Sequence, residues 1–240
     1  MTNSSSGSFP DRLANSLPKG QRERPDFPRF GLIPLAKRFP KDASRRLEIV
    51  GEVARPLQLP DALDGLPRVE QVSDFHCVTT WSYRNVRWGG VRFVDFYERI
   101  VLGSARPHEG ATLVALRCQD GARTGMLLED LLSPDVLLVD HMNGEPLSVE
   151  HGAPLRLIAP KHYGYKSVKC LSRIEFRYPK QGYRFTGFRF MDHPRARVAF
   201  EERGRGLPGW FYRYLYRPLI PSTVRIFAQA TERYRDQNSR

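Results

Sequence analysis

The sequence predicts an α+β domain with mixed and antiparallel sheets and few short helices. Many short stretches alternate apolar and polar residues and end on turn signals, as half-buried strands do. Helical spacing of apolar residues is largely confined to residues 93–101 and 224–228. No strand–helix–strand repeat is present that would build a parallel sheet. At 240 residues, with 40% hydrophobic and 11% aromatic residues, the chain can bury one sizeable core, and general disorder is excluded.

Residues 1–25, rich in Ser, Asn, Pro and Gly, read as a mobile lead-in. Residues 26–45 contain three prolines and little periodicity, which predicts an extended arm over the domain. Leu47, Ile49 and Val53 alternate with polar or small residues as a first strand. Val69, Val72 and Phe75 mark a second strand running into Cys77. Phe93, Phe96, Tyr97, Ile100 and Val101 recur at helical spacing, with Gly103 as the stop. Ala111–Cys118 reads as a strand closed by the Asp120-Gly121 turn, Leu127–Leu132 as one helical turn, and Val136–Asp140 as a strand before the Asn143-Gly144 turn. Pro154–Ala159 and Ile174–Tyr178 read as further strands around a Gly-containing loop. After Pro179 the pattern loosens; Trp210–Arg217 mixes aromatics with arginine and is expected to pack back on the domain, and a helix is expected through Val224, Phe227 and Ala228. The expected boundaries are an arm over 1–45, a main folded domain over 46–200 and a basic aromatic extension over 201–240.

The net charge of +12 is unevenly placed: residues 1–160 balance 20 Lys/Arg against 20 Asp/Glu, while 161–240 hold 18 against 6. Such a block suits an anionic partner: nucleic acid, an acidic protein, a membrane surface or a phosphate-bearing cofactor. Three widely spaced cysteines exclude a disulfide scaffold and a zinc-finger pattern, and suit a reducing compartment. No apolar run approaches a membrane span, and the N-terminal residues carry neither a signal-peptide core nor a twin arginine, so the expected location is cytoplasmic.

Two stretches carry chemistry. In Ser73-Asp74-Phe75-His76-Cys77-Val78-Thr79-Thr80-Trp81-Ser82, a β-prone run delivers a thiol into a polar loop, where it can meet a metal or an electrophile. A lone cysteine is more often a small buried hydrophobe, and spacing alone favours that reading. His76 has no second ligand at metal spacing. The other stretch runs from His151 to Lys169 and combines a Gly-x-Pro turn, Arg156, Tyr163-Gly164 and Ser167-Val168-Lys169. Each part alone has a structural reading, a salt bridge or a turn.

Together, FHCVTTWS with Trp88-Gly89-Gly90-Val91 and the 151–169 stretch resemble the sulfite oxidase-like family of molybdopterin-dependent oxidoreductases over roughly residues 45–200. The resemblance implies that family's α+β fold and a molybdenum–molybdopterin cofactor with Cys77 as the protein ligand to the metal and the catalytic residue. It also implies cofactor binding by His151, Arg156, Ser167, Val168 and Lys169, with Cys118 at a position where relatives carry a hydroxyl residue. Arg29, Phe30 and Gly31 fall where the family's arm reaches the cofactor. An arginine suits phosphate or pterin through paired donors, and backbone N–H groups of the 164–169 loop suit an anion nest.

The implied reaction is oxygen-atom transfer, or a related two-electron step, on a small-molecule substrate. Sulfite oxidases place arginine just after the ligand cysteine; Val78–Ser82 has none, and Arg84 and Arg87 come later. No haem-attachment, Rossmann or P-loop string is present, so a separate electron-transfer partner is expected. The alternative is a basic binding protein docking nucleic acid or an anionic membrane surface through its C-terminal third. No nucleic-acid motif supports it, and no nucleic-acid partner is expected.

Overall fold

The computed structural model describes residues 16–238. Two sheets account for most of the order. The first contains β1 (Arg22–Glu23), β5 (Trp81–Arg92), β8 (Leu137–Met142) and β10 (Arg156–Ile158) in that order, with β4 (Val69–His76) beside β5 and β9 (Glu145–Pro146) beside β8. Only β1 pairs parallel in it. The second sheet runs β3 (Leu57–Leu59), β2 (Leu47–Gly51), β11 (Leu171–Arg177), β6 (Leu113–Cys118), β7 (Arg123–Leu127), with β2 parallel to β11 and the other pairs antiparallel. The expected mixed α+β architecture is what is observed.

The main core joins the sheets: Leu47 and Ile49, Val114 and Leu116, and Ile174 and Phe176 meet Leu138 and Leu157. On the far side of the first sheet, Leu137, Val139, Ile158, Val86 and Trp88 form a second cluster against Phe27 of the arm. Burial on both faces explains why β8 reads as the continuous apolar run Leu137-Leu138-Val139 rather than as an alternation. The β5–β8 ladder shifts between Gly89 and Gly90, where a Cβ on Gly90 would lie 2.1 Å from the Leu138 carbonyl oxygen. Glycine is required there for the strands to approach.

Four expectations change. The lead-in is not uniformly irregular: Arg22–Glu23 forms β1 because the Cys77 hairpin offers a backbone edge to it; residues 1–15 of that lead-in lie outside the described residues. Gly103 does not stop the helix. α1 (Phe93–Phe96) continues as a wide π-type helix through Ala105 and ends at Arg106, φ 54°. The wider turn absorbs the five-residue step from Phe96 to Val101 and keeps both in the core. The strand aimed at Cys77 ends at His76. Finally, after the single turn α2 (Leu128–Leu131), the C-terminal segment forms α3 (Gly209–Tyr216) and α4 (Ile220–Asn238). Tyr212 and Tyr216 pack inward as expected, but Trp210, Phe211, Tyr214 and Leu215 remain exposed. No helix among the described residues is long and apolar enough to cross a membrane.

Candidate cofactor site

The β4–β5 hairpin turns at Cys77–Thr80. The Cys77 N–H donates to the Trp81 carbonyl (2.8 Å) and the Thr80 N–H to the Cys77 carbonyl (3.1 Å), which folds the loop back on itself. Thr80 sits at φ 86°, a strained conformation for a β-branched residue. Surrounding groups hold it there. The Arg22 N–H donates to the Thr80 carbonyl (2.9 Å), the Gln21 side-chain amide to the Cys77 carbonyl (3.1 Å), and Arg217 Nε to Thr80 Oγ1 (3.3 Å).

Arg203, fully buried, donates to the Val78 carbonyl (2.6 Å), the Lys19 carbonyl (3.3 Å) and Glu201 (3.2 Å), with its guanidinium 4.8 Å from the Tyr163 ring centre. Gln21, Arg203 and Arg217 lie far from Cys77 in sequence and carry no local motif. Sequence reasoning missed them for that reason.

Cys77 is 7% exposed, and its Sγ lies 3.1 Å from Thr79 Oγ1. Burial pushes its thiol up; the hydrogen bonds from Thr79 and the charges of Arg203 and Lys169 pull it back. A thiol in this setting is neutral near pH 7 and gives up its proton to a bound metal. His76 is not a candidate ligand: its Nδ1 is 2.7 Å from Ser82 Oγ, and no group of three or more potential ligands clusters among the described residues.

The two stretches singled out from the sequence meet here. The Gly164 N–H donates to the His76 carbonyl (2.8 Å), and a Cβ on Gly164 would lie 2.2 Å from the Phe75 ring. Arg156 is fully buried; it donates to the carbonyls of His151 (2.6 Å) and Ser167 (3.2 Å), tying the two ends of the second stretch together. Its guanidinium lies 5.0 Å from the Trp88 ring centre. Ser167 Oγ accepts from the Ala159 N–H (3.0 Å) and the Val168 carbonyl from the Leu157 N–H (3.0 Å), so both residues shape the loop. Lys169 donates to the Glu150 carbonyl (2.7 Å), and Gly152, at φ 107°, packs against its side chain.

Phe27 of the arm packs 4.8 Å from Phe75 and 5.0 Å from His151, ring centre to ring centre. Cys118 is buried in the main core with Cys170, and its thiol is pushed well up by burial, then by Asp120 and Cys170. Arg29 is spent largely on the arm itself, donating to the carbonyls of Ala36 and Arg38 (2.6 Å each).

Four buried nitrogens here have no partner among the described residues: His151 Nδ1, Arg156 Nε, Trp81 Nε1 and Trp88 Nε1. Burial, then Lys169 and Arg156, lowers His151 to about 4, so its imidazole is neutral. These orphaned atoms, with the cations Arg156 and Lys169, suit a polar group carrying an anion, and the residues present fit a pterin phosphate. A cavity of about 110 Å³ lies elsewhere, on the second sheet among Arg117, Arg123, Arg177 and Tyr183, and none of the expected site residues lines it.

The buried cations make a pH prediction for the ligand-free chain. Burial, then Arg156 and Arg29, lowers Lys169 to about 7; burial, against the pull of Asp192, lowers Lys166 to about 8. The unfolded chain therefore binds more protons than the folded one above about pH 7, so stability rises with pH from about 7 to about 9. Beyond that, the buried thiols oppose the trend, since Cys170 is pushed up to about 12. A urea midpoint higher at about pH 9 than at about pH 6.5 is expected; a falling midpoint across that interval contradicts the assignment of these lysines.

Residues 36–183 match the model of a family described as the oxidoreductase molybdopterin binding domain. The chain is 40% identical over 131 residues to the uncharacterized oxidoreductase YuiH of Bacillus subtilis, covering 54% of this chain and 64% of that protein. It is 30% identical over 142 residues to the protein-methionine-sulfoxide reductase catalytic subunit MsrP of Xanthomonas campestris pv. campestris, covering 54% of this chain and 44% of the relative. The chain thus spans less than two thirds of either relative. Among solved structures, the sulfane dehydrogenase SoxCD from Paracoccus pantotrophus aligns at a TM-score of 0.48 and 23% identity, over 55% of this chain and 38% of that one. With the family model spanning more than half of its residues, the chain belongs to the oxidoreductase molybdopterin binding domain family, whose cofactor is molybdenum carried by molybdopterin.

Proposed function

We propose that the chain is an oxidoreductase of the sulfite oxidase-like class, acting by oxygen-atom transfer at a molybdenum centre ligated by Cys77. The observation that carries this reading is the convergence on one thiol of two stretches remote in sequence: Gly164 bonds directly to His76, and the charges of Lys169 and Arg203 act on Cys77. When bound, the cofactor supplies two-electron redox chemistry; the protein supplies ligation, orientation and electrostatics. Lys169 and Arg156 counter the charge of the phosphate. His151 offers a neutral ring nitrogen, while Ser167 and Val168 present loop backbone. Cys118, in the core with Cys170, is the contact proposed from the second sheet.

A neutral oxygen-bearing substrate fits better than a dianion. The loop after Cys77 has no arginine, Arg84 is ion-paired with Asp74, and Arg203 spends its donors on protein atoms. A sulfoxide is the substrate class this favours, in keeping with the name of the Xanthomonas relative. Electrons come from a separate carrier, and a cytoplasmic location suits three free cysteines.

The test is elemental and cofactor analysis of the protein from a molybdenum-replete host. About one molybdenum per chain, with pterin fluorescence after acid release, is expected. Protein that folds in such a host but carries neither sinks the proposal. Turnover of methyl sulfoxides with a reduced dye as donor, and none of sulfite with an oxidised dye as acceptor, checks the substrate class.

A further inference from the structure

α3 carries an anomaly that the cofactor site does not use. Tyr212 and Tyr216, four residues apart, face inward and are 1% and 2% exposed. Trp210, Phe211, Tyr214 and Leu215 fall on an arc of roughly 140° on the opposite side, at 100° per residue. They are 54%, 43%, 70% and 46% exposed. A helix apolar on both sides is ordinarily buried; here one side has no cover among the described residues.

The apolar surface continues beyond the helix. Leu207 and Leu219 flank it and are half exposed. Phe190 is joined to its base through its own carbonyl, which accepts from the Arg205 N–H (2.8 Å) and the Tyr212 hydroxyl (3.4 Å). Phe188 and Phe190 are both exposed and stack 5.8 Å apart, with Arg189 between them in sequence. Exposed apolar side chains grouped along one segment in this way mark an interaction site.

The charge around it selects the partner. Residues 184–225 contain nine arginines and three acidic residues. Asp192, Glu201 and Glu202 are each already paired with arginine. Arg189, Arg217 and Arg225 have no acidic partner among the described residues, and Arg217 instead bonds Thr80. A second copy of the chain would bring this positive surface against its like. An anionic bilayer offers opposite charge, accepts a convex helix without matching its shape, and takes Trp, Tyr and Leu at the headgroup boundary with arginine beside them.

We propose that the exposed face of α3, with Phe188, Phe190 and their unpaired arginines, docks the protein on the surface of an anionic membrane. Docking is peripheral. Through the Arg217–Thr80 bond, the same segment touches the Cys77 loop, so a docked molecule holds its candidate site close to the bilayer.

The test uses the full chain with vesicles of phosphatidylcholine alone or with phosphatidylglycerol added. Co-sedimentation with the anionic vesicles is expected to exceed that with the neutral ones by about tenfold, and to weaken as salt is raised. Trp81 and Trp88 are buried, so a blue shift of tryptophan emission on binding reports Trp210. A combined Trp210→Ser, Tyr214→Ser and Leu215→Ser variant is expected to keep the parent Tm and lose both signals. Arg189→Glu with Arg225→Glu is expected to abolish the preference for anionic vesicles. The proposal is overturned by failure to bind anionic vesicles at low salt, by vesicle binding that the serine variant retains, or by a stable dimer that the serine variant dissociates.

Discussion

Cys77→Ser is expected to leave the protein folded and empty of molybdenum. The substitution is close in volume, and a hydroxyl at this place can keep the hydrogen bond that Sγ makes with Thr79 Oγ1. The stability change is therefore on the order of 1 kcal/mol, a shift of a few degrees in Tm for a chain of this size. What serine cannot supply is a soft thiolate, the donor a pterin-bound molybdenum selects. Metal content measured beside a thermal melt separates the two effects. A serine variant with the parent's metal content and turnover removes Cys77 from the centre; one that fails to fold shows that the thiol acts chiefly in packing.

Arg203→Met should have the second largest effect, from a residue outside the stretch that matches the family. Methionine keeps much of the volume against the Tyr163 ring but strips the donors from the carbonyls of Val78 and Lys19. The two carbonyls are part-buried, and leaving them unpaired costs about 1–3 kcal/mol each. Glu201 is not stranded, because Arg213 pairs with it as well. A net loss of about 2–5 kcal/mol lowers Tm by roughly 5–15 °C.

The loss falls on the loop that carries Cys77 and the strained Thr80, so molybdenum content is expected to drop by at least about tenfold even at temperatures where the variant is folded. Arg213→Met, which leaves the loop's bonds in place, serves as the comparison and should keep its metal. Equal metal content in the two variants would show that Arg203 stabilises the fold without positioning the loop.

The two candidate stretches, which the fold brings together, were legible because each is a local string: a cysteine after a β-prone run, and an arginine, a Tyr-Gly turn and a Ser-Val-Lys in one 19-residue stretch. The hairpins at Asp120-Gly121 and Asn143-Gly144 were legible for the same reason, since turn chemistry depends on two adjacent residues. The helix that passes Gly103 was not, because the wide turn answers to where Val101 and Ala105 meet the core.

By itself, then, the sequence determined the α+β class, the alternation that places the strands, and the two motif segments. Only the tertiary structure decided that Gly164 bonds His76, that Gln21, Arg203 and Arg217 converge on the Cys77 loop, and that one side of α3 has no cover among the described residues. The physical reason is range. Turns and strand alternation follow from neighbours along the chain, whereas a buried guanidinium chooses carbonyls 125 and 184 residues away, and only a folded chain brings those within reach.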